Sequence, residues 1–186
     1  MNDKKEQRGP WQRLSQKTVY ENPWIKVSHE EVITPGDTEG IYGLVHFKTR
    51  AVGVVPVDRE GNTRLVGQHR YTLDQFSWEI PEGGANLDED LLSAAKRELK
   101  EETGLFNGSW KHLLDLHLSN SITDEKGAIF LATDLEQGNS KLEPTETDLQ
   151  VKVLPVKEAV EMALKGDITD VMSVAGLLAT ERLLKE

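Results

Sequence analysis

The sequence contains no cysteine and no long apolar run, and it carries few basic residues for its length. Its 186 residues include 22 Lys and Arg against 32 Asp and Glu, which gives a formal net charge of −10 at pH 7. Without cysteine the chain has neither a disulfide framework nor thiol chemistry, which fits a reducing compartment. The acidic balance argues against nucleic acid or an anionic membrane as the main partner. A small phosphorylated substrate fits, because metal ions and a few arginines can offset the charge locally.

No stretch is apolar enough to span a bilayer, and the first ten residues are polar, unlike a signal peptide. These two absences predict a cytoplasmic protein. The five histidines show no ligand-like spacing, and we interpret them as structural or surface residues. The length suits one domain with an ordinary core and room for a small appended sheet.

Three glutamates, Glu98, Glu101 and Glu102, are the most informative feature of the chain. Positions i, i+3 and i+4 of a helix share one face, so the three carboxylates are predicted to point the same way. Such a face repels itself, and a divalent cation relieves the repulsion. Hard oxygen ligands suit Mg²⁺, with Mn²⁺ as the alternative. The competing interpretation is a solvated acidic face, which is the usual role of a charge run.

The flanking residues favour a divalent-cation site over a solvated acidic face. The same stretch carries an apolar stripe of Leu91, Ala95 and Leu99. A helix with such a stripe packs against a core. Asp88 is expected to cap the helix at its start, and Gly104 to end it in the left-handed conformation. Arg97 lies four residues before Glu101, within helical pairing distance, and can hold a carboxylate in place.

The stretch at 83–105, GGANLDEDLLSAAKRELKEETGL, resembles a Nudix box. The matching positions are Gly83, Glu89, Arg97-Glu98-Leu99, Glu101-Glu102 and Gly104-Leu105. The resemblance implies an α/β/α sandwich, an α/β (α+β) fold with a mixed central sheet, in which the loop-helix-loop of the box binds Mg²⁺. It also implies hydrolysis of a nucleoside diphosphate linked to another group. A match of this length is far more specific than a lone glycine-rich motif.

The residues before the box predict an antiparallel strand extension. Residues 1–10 are charged and predicted to be a disordered tail. Strands are predicted within 11–47, at 17–20, 24–33 and 40–47. They hold too little apolar material for a separate stable domain. In the ADP-ribose and nucleotide-sugar hydrolases that this chain resembles, such a leading sheet builds an intertwined dimer, so we expect a homodimer. Residues 48–186 are then the Nudix hydrolase domain.

Within 48–186 strands are interleaved with a few helices. Strands are predicted at 51–57, 63–70, 76–80, 110–118, 127–133 and 151–154. Helices are predicted at 156–165, stopped by Gly166, and at 170–185, capped by Thr169. The glycines in Pro81-Glu82-Gly83-Gly84 predict a turn where backbone carbonyls approach an ion closely. The polar stretch 135–148 is long for a loop, and such loops are often functional lids.

The resemblance implies attack of water on a pyrophosphate bridge, with a metal ion lowering the pKa of that water. Glu98 and Glu102, one helical turn apart, are predicted as metal ligands, and the backbone carbonyl of Glu82 matches a further ligand position of the family. Glu101 is predicted to share the metals or to orient water. Arg97 is counted among the catalytic residues, and Glu89 is predicted to help hold Arg97 and the box loop rather than to touch substrate.

The resemblance places the general base outside the box, on a late loop. That loop offers Glu143, Glu146 and Asp148. Glu146 is preferred, as base and as an additional metal ligand, because its place before the last strand best matches the family's loop glutamate. A solvated acidic loop is equally compatible with this composition. A base must also lie within hydrogen-bond reach of the attacking water, which spacing does not specify.

Substrate binding is predicted from weaker signals. Gln68-His69-Arg70 resembles the family's Q-x-R, in which the arginine contacts phosphate or ribose, and a planar guanidinium suits phosphate. Arg50 is a second candidate, although a surface arginine at a strand end is equally compatible. Trp24 is a candidate for stacking a nucleobase, but packing is the commoner role of a tryptophan in a strand. Glu79 matches a family position near the substrate.

The expected substrate is a small nucleotide sugar. Asn120 stands where ADP-ribose hydrolases commonly carry a proline, whereas Thr123-Asp124-Glu125 resembles the wider group that acts on ADP-ribose and sugar nucleotides. We therefore expect a nucleoside diphosphate sugar such as GDP-mannose, with ADP-ribose as the close alternative. The three box glutamates count against a non-catalytic binding module. The leading strands count against a hydrolase of nucleoside triphosphates.

Overall fold

The computed structural model describes residues 5–142 and 147–185, which divide into two compact units. The first unit comprises the described residues up to Thr49 together with His117–Glu125. The second comprises Arg50–Leu116 and the described residues from Lys126 onward. The boundary after Thr49 lies close to the one predicted after residue 47. The segment His117–Glu125 groups with the first unit, although the predicted boundaries place it in the hydrolase domain.

The first unit contains a four-stranded antiparallel sheet. Its strands are β1 (Glu6–Arg8), β2 (Trp11–Glu21), β3 (Ile25–Ile33) and β4 (Glu39–Phe47), in the order β1-β2-β3-β4. The alternation expected of a half-buried strand is clear in β3, where Ser28, Glu30 and Val32 are buried and His29 and Glu31 are exposed.

Strand β1 departs from the disordered tail predicted over residues 1–10. Its formation has an electrostatic reason. Glu6 lies opposite Arg13 in the register between β1 and β2 and pairs with its guanidinium. Arg8 lies 3.8 Å from Glu30 of β3. Ion pairs between neighbouring strands favour pairing, so charges that suggested disorder instead stabilise a strand.

The segment 117–125 is attached to β4 by backbone and side-chain hydrogen bonds. The amide of Val45 donates to Ile122 O at 2.9 Å, and the amide of Asp124 donates to Val45 O at 3.2 Å. The Asp124 carboxylate accepts from the amide of Phe47 at 3.0 Å and lies 2.7 Å from His46 Nδ1. Asp124, which the sequence associates with a substrate class, therefore has a structural role in the first unit.

The second unit is built on a seven-stranded mixed sheet. The strands of this part of the chain are β5 (Thr49–Val57), β6 (Asn62–Arg70), β7 (Gln75–Glu79), β8 (Glu82–Asn86), β9 (Leu105–Phe106), β10 (Ser109–His117), β11 (Lys126–Thr133), β12 (Glu136–Gln137) and β13 (Gln150–Pro155). The sheet order is β10-β11-β5-β6-β13, with β7 also paired to β6 and β8 to β5. β11 is parallel to β5, whereas β6 is antiparallel to β5, β7 and β13. Strands β9 and β12 form a separate antiparallel pair.

Three helices accompany this sheet, and their caps differ in part from those predicted. The helices are α1 (Leu91–Thr103), α2 (Val156–Lys165) and α3 (Val171–Leu184). Asp90 rather than Asp88 caps α1, and Asp170 rather than Thr169 caps α3. Each aspartate directly precedes its helix, so its carboxylate reaches the amide three residues later. The predicted left-handed end at Gly104 is confirmed, with φ of 74°. Helix α2 ends at Lys165, directly before Gly166 as predicted, and Gly166 is also left-handed, with φ of 84°.

Strand alternation places α1 and α3 on opposite faces of the sheet. Val52 and Val54 of β5 form one buried cluster with Leu99 of α1. Gly53 and Val55, which point the other way, lie against α3: a Cβ on Gly53 would be 3.1 Å from Met172 Cε, and one on Gly176 would be 3.1 Å from Val55 Cγ2. The predicted α/β/α sandwich with a mixed sheet is therefore confirmed. No helix of the described ranges is long and apolar enough to cross a membrane.

Candidate active site

The carboxylates of α1 lie beside the strand that precedes the helix. Glu102 is only 2% exposed, and its Oε2 accepts from the amide of Glu82 at 3.1 Å. Glu98 lies against Gly83: a Cβ built on that glycine would be 2.2 Å from Glu98 Cδ. Gly83 is needed because no side chain fits between strand and carboxylate. Two of the three predicted helix carboxylates therefore meet the Glu82-Gly83 backbone.

Part of the turn predicted at Pro81 to Gly84 is instead strand. Residues Glu82–Asn86 form β8, which pairs with β5. Glycines have low strand propensity, so the local pattern favoured a turn. Pairing with a buried neighbouring strand overrides that preference, and Pro81 O accepts from the amide of Val54 of β5 at 2.9 Å. The backbone of this segment nevertheless lies against the acidic helix, through the contacts of Glu82 with Glu102 and of Gly83 with Glu98.

Arg97 holds the box together. Its Nη1 donates to Glu98 at 2.7 Å and to Glu101 at 3.1 Å, and its Nη2 donates to the carbonyl of Gly84 at 2.9 Å. Both oxygens of Glu89 lie 3.4 Å from its guanidinium. Burial disfavours the charged guanidinium, but hydrogen bonds to these carboxylates outweigh this and raise the pKa of Arg97. The predicted contacts of Arg97 with Glu101 and Glu89 are thus present, and its contact with Glu98 is an additional one.

Arg50 contacts the loop that precedes α1. Its Nη2 donates to the carbonyl of Asn86 at 3.2 Å and also to the carbonyl of Glu89. Its Nε is buried and has no hydrogen-bond partner within the described residues. Arg50 was predicted to bind substrate, and its observed contacts are with the protein backbone, where it anchors the loop of the box.

Arg70 and Glu79, both predicted near the substrate, contact each other. Arg70 Nε donates to both oxygens of Glu79 at 3.0 Å, and its Nη2 donates to Glu79 and, at 3.4 Å, to Glu82. This fork-shaped pairing is typical of a strong, oriented ion pair. The hydrogen bonds from Glu79 raise the pKa of Arg70. Glu79 is 4% exposed, whereas the Arg70 side chain is 35% exposed, so the guanidinium is accessible to solvent.

Negative charge exceeds positive charge around Glu82. Burial raises the pKa of Glu82 well above its usual value, and the neighbouring charges of Asp170 and Glu79 raise it further. Arg70 lowers this pKa and Glu102 raises it. Glu82 Oε2 is buried and has no partner among the described residues. A cluster of carboxylates with a partnerless buried oxygen is electrostatically suited to a divalent cation with hard oxygen ligands.

The side chains are not already grouped as a complete metal site. Within residues 5–142 and 147–185, no three acidic, histidine or cysteine side chains form a set that could hold an ion. The predicted ligands Glu98 and Glu102 therefore need a contribution from the backbone. The carbonyl of Glu82 suits this role, because its residue is hydrogen-bonded to Glu102 and adjoins Gly83.

The remaining predicted residues lie elsewhere. Trp24 belongs to the first unit, just before β3, and is 67% exposed, so it is not packed as tryptophans in strands usually are. Glu146 and Glu143, the two glutamates considered as base, lie outside the described residues. Asp148, the third candidate, is exposed.

Two residues near the site were missed. Asp170 caps α3 and influences the pKa of Glu82, and Ser173 accepts a hydrogen bond from the amide of Ile80 at 2.9 Å. Their sequence signal is an aspartate followed three residues later by serine before an apolar run, which also marks the start of α1 at Asp90 and Ser93. That pattern identifies a helix start, but nothing local indicates that the helix meets the site.

Comparisons with known proteins agree with this geometry. A family model described as the NUDIX domain matches residues 47–172, and one described as the nucleoside diphosphate sugar hydrolase N-terminal domain matches residues 11–45. An ADP-ribose pyrophosphatase of Mycobacterium tuberculosis is 32% identical over 172 residues, covering 91% of this chain and 82% of that protein. A CMP-5'-(N-acetyl-N-hydroxy-3-aminopropyl)phosphonate hydrolase of Streptomyces rubellomurinus is 28% identical over 169 residues, covering 91% and 81%.

A solved structure extends the comparison to the fold. A crystal structure described as that of an ADP compounds hydrolase superposes with a TM-score of 0.82. The match covers 93% of both chains at 22% sequence identity. At this level of identity the likeness supports the architecture only.

Proposed function

The chain belongs to the Nudix family and is a hydrolase of the ADP-ribose and nucleoside diphosphate sugar type, and we propose that ADP-ribose is its substrate. Hydrolysis of the pyrophosphate bond adds water across it and releases AMP and ribose 5-phosphate. Nucleoside diphosphate sugars such as GDP-mannose would give a nucleoside monophosphate and a sugar phosphate in the same way. The observation that carries the proposal is the excess of carboxylates around Glu82, beside an arginine suited to phosphate.

The choice between substrates rests on two kinds of signal. Asn120 favoured GDP-mannose over ADP-ribose in the sequence. The Mycobacterium tuberculosis relative, similar over 91% of this chain, favours ADP-ribose. The second signal outweighs the first, because it draws on most of the chain rather than on a single position. GDP-mannose is the second candidate, supported by the description of the N-terminal family model.

Glu98, Glu102 and the carbonyl of Glu82 would hold Mg²⁺, with Mn²⁺ as the alternative. When bound, such an ion lowers the pKa of a coordinated water and offsets charge on the phosphates. The residues of the chain prepare this site. Arg97 orients Glu98 through the 2.7 Å contact, and it restrains Glu101 in the same way at 3.1 Å.

Arg70 is proposed to contact the diphosphate. Its guanidinium is partly exposed while Glu79 restrains it from the buried side, so little conformational freedom is lost when phosphate binds. Trp24 remains a proposed stacking surface for the nucleobase, supported by its exposed ring. Trp24→Ala should then raise KM for ADP-ribose, and an unchanged KM would remove Trp24 from the binding site.

Glu146 is proposed as the general base and as an additional metal ligand, on the family resemblance of its loop. Glu146→Gln should lower kcat much more than it changes KM for substrate. A rate near that of the wild type would move the base to Glu143 or Asp148. A kinetic comparison of the three glutamine or asparagine variants decides among them.

A homodimer is proposed through the first unit. Large apolar side chains are exposed there, namely Val19, Tyr20, Trp24 and Ile41. Exposed apolar groups of this size commonly mark interaction surfaces. Light scattering on the full chain should give the mass of a dimer, and Ile41→Asp should shift it toward a monomer. A monomeric wild-type protein would contradict the proposal.

The decisive experiment is a substrate panel. Purified protein is incubated with Mg²⁺ and with ADP-ribose, GDP-mannose, other sugar nucleotides or dinucleotides, and the products are separated chromatographically. We expect AMP and ribose 5-phosphate from ADP-ribose at the highest kcat/KM. A higher value for GDP-mannose would reverse the substrate order. No hydrolysis of any compound would refute the proposed function.

A further inference from the structure

The segment from Glu79 to Glu82 is held by hydrogen bonds from three separate elements. Pro81 O accepts from the amide of Val54 of β5 at 2.9 Å. The amide of Glu82 donates to Glu102 of α1 at 3.1 Å. The third contact comes from α3, where Ser173 Oγ accepts from the amide of Ile80 at 2.9 Å. The backbone that carries the proposed carbonyl ligand is thus restrained at three successive residues.

The hydroxyl of Ser173 is oriented by Asp170. Ser173 Oγ donates to Asp170 Oδ2 at 2.8 Å, and the amide of Ser173 donates to the same oxygen at 2.7 Å. A serine hydroxyl has one proton, and here it points to a carboxylate. Its lone pairs are therefore directed at the amide of Ile80. Ile80 and Ser173 are both 0% exposed, so within this buried contact the amide depends on the serine oxygen.

Close packing sets the register between α3 and this segment. A Cβ on Gly53 would be 2.8 Å from Ile80 Cδ1, and one on Gly176 of α3 would be 3.4 Å from the same atom. Glycines on both sides of Ile80 leave its side chain little room to shift. The first turn of α3 therefore meets the backbone of Ile80 in one defined position, and the contact made by Ser173 is not an incidental surface hydrogen bond.

We propose that Ser173 and Asp170 are positioning residues of the active site. They orient the Glu79–Glu82 backbone, and through it the carbonyl of Glu82, toward Glu98 and Glu102. Neither side chain needs to touch substrate for this role. The inference rests on the proposed function, because it assigns the two residues to the site that would bind metal and diphosphate.

The test compares Ser173→Ala with a matched control in the full chain. Thr180→Val lies on the same helix, and Thr180 is also 0% exposed, but its Oγ1 has no hydrogen-bond partner within the described residues. Binding of Mn²⁺ alone is titrated by electron paramagnetic resonance, and kcat and KM are measured with ADP-ribose. Loss of an outer hydrogen bond at a metal site typically costs about 10- to 100-fold in metal affinity or activity, and we expect a loss in this range for Ser173→Ala.

Further readouts separate positioning from stability. Ser173→Ala should lower kcat more than it raises KM, and hydrogen exchange of the Ile80 amide should accelerate. Ser173→Thr keeps the hydroxyl and should recover most of the Mn²⁺ affinity. Asp170→Asn keeps an acceptor for the helix cap and should lower the Mn²⁺ affinity less than Ser173→Ala does. This variant still tests the inference if the extra methyl group of Ser173→Thr disturbs packing. Thr180→Val should bind Mn²⁺ like the wild type.

Two outcomes would overturn the inference. In one, Ser173→Ala keeps wild-type Mn²⁺ affinity and kcat. In the other, it melts at a lower temperature but binds Mn²⁺ unchanged, which would make the contact purely structural. Failure of the proposed function looks different: the wild-type protein would bind Mn²⁺ but hydrolyse none of the panel, and the Mn²⁺ titrations would still decide the role of Ser173.

Discussion

Glu30 of the first unit is buried and Glu82 of the second is half-buried, and each lies beside an arginine, but their charge is balanced differently. Glu30 is 3% exposed, and one of its oxygens accepts from Gln16 at 2.9 Å, Ser28 at 3.3 Å and Arg13 at 3.5 Å. Its other oxygen lies 3.8 Å from Arg8. A single carboxylate is thus surrounded by donors and cations, as expected of a buried charge with a structural role.

Around Glu82, acidic neighbours outnumber basic ones. Glu79, Glu102 and Asp170 all disfavour its charged form, while Arg70 is the neighbour that favours it. Its Oε2 has no partner in the part of the chain that the structure describes. Folding alone rarely leaves such an imbalance, because an uncompensated buried charge is costly. The carboxylate of Glu30 with its donors Arg8, Arg13, Gln16 and Ser28, here called the first cluster, is therefore complete in itself. The carboxylates of Glu79, Glu82, Glu102 and Asp170 beside Arg70, here called the second cluster, carry excess negative charge, which suits a divalent cation.

The largest effect is expected from removing a carboxylate of the second cluster. Glu102→Gln keeps the shape of the side chain but removes a proposed metal ligand. We expect this change to cost about 4 kcal/mol of transition-state stabilisation, which corresponds to a kcat about 10³-fold lower. Steady-state kinetics with ADP-ribose and Mg²⁺ measure this loss, and circular dichroism checks the fold. Glu161→Gln, at an exposed position of α2, is the control and should keep wild-type activity. An active Glu102→Gln enzyme would show that the ligand assignment is wrong.

A metal ion should stabilise the folded protein by acting on the second cluster. At a free Mg²⁺ concentration of about 100 times its Kd, binding to the folded state adds about 2.7 kcal/mol to the free energy of unfolding. Thermal melting with and without Mg²⁺ at matched ionic strength measures the shift, and chelation should reverse it. Glu102→Gln should show a much smaller shift. If wild type and Glu102→Gln respond equally, Mg²⁺ acts at another place.

The first cluster should respond in stability rather than in catalysis. Glu30→Gln removes a buried charge whose neighbours include Arg13 and Arg8, and we expect a loss of about 2 kcal/mol in the free energy of unfolding. Denaturant titration measures this loss, and kcat of the folded protein should be nearly unchanged. The matched control is Glu31→Gln, at the next, exposed position of β3. A large drop in kcat without a loss of stability would erase the distinction between the two clusters.

The contrast also shows which parts of the site were predictable. The face formed by Glu98, Glu101 and Glu102 follows from helical periodicity, and the contact of Arg97 with Glu101 follows from i,i+4 spacing. Left-handed ends at Gly104 and Gly166 likewise depend on one residue type at one position. These features are local, so the sequence alone contains the information for them.

Other features depend on pairing between distant segments. Strand β8 forms because β5 lies beside it, although its glycines favour a turn. The acidic surroundings of Glu82 include Asp170, which arrives with α3, and the loop carrying Asp124 groups with the first unit. No periodicity within a short window encodes which segments meet in space. The sequence therefore predicted the helix of the site well and its surroundings poorly.

The smallest expected effect is a pH-dependent change in stability that comes from Asp124 of the first unit. Burial opposes ionisation of Asp124, but the contacts with His46 and the amide of Phe47 outweigh it and lower the pKa of Asp124. A carboxyl whose pKa is lowered on folding adds stability above its unfolded value, about 3.8. This contribution is lost as pH falls through the lower folded value. Wild type should therefore lose more stability than Asp124→Asn when pH is lowered from about 5 to about 3.

Denaturant unfolding at the two pH values measures this difference. Asp115→Asn is the matched control, because Asp115 also contacts a histidine, His112, at 2.9 Å but its side chain is 80% exposed. An exposed pair of this kind contributes little, so its removal should leave the pH dependence as in the wild type. If Asp124→Asn and wild type lose stability in parallel, the hydrogen bonds of Asp124 do not discriminate between its charged and neutral forms. In that case the charge of Asp124 would add nothing to the stability of the first unit.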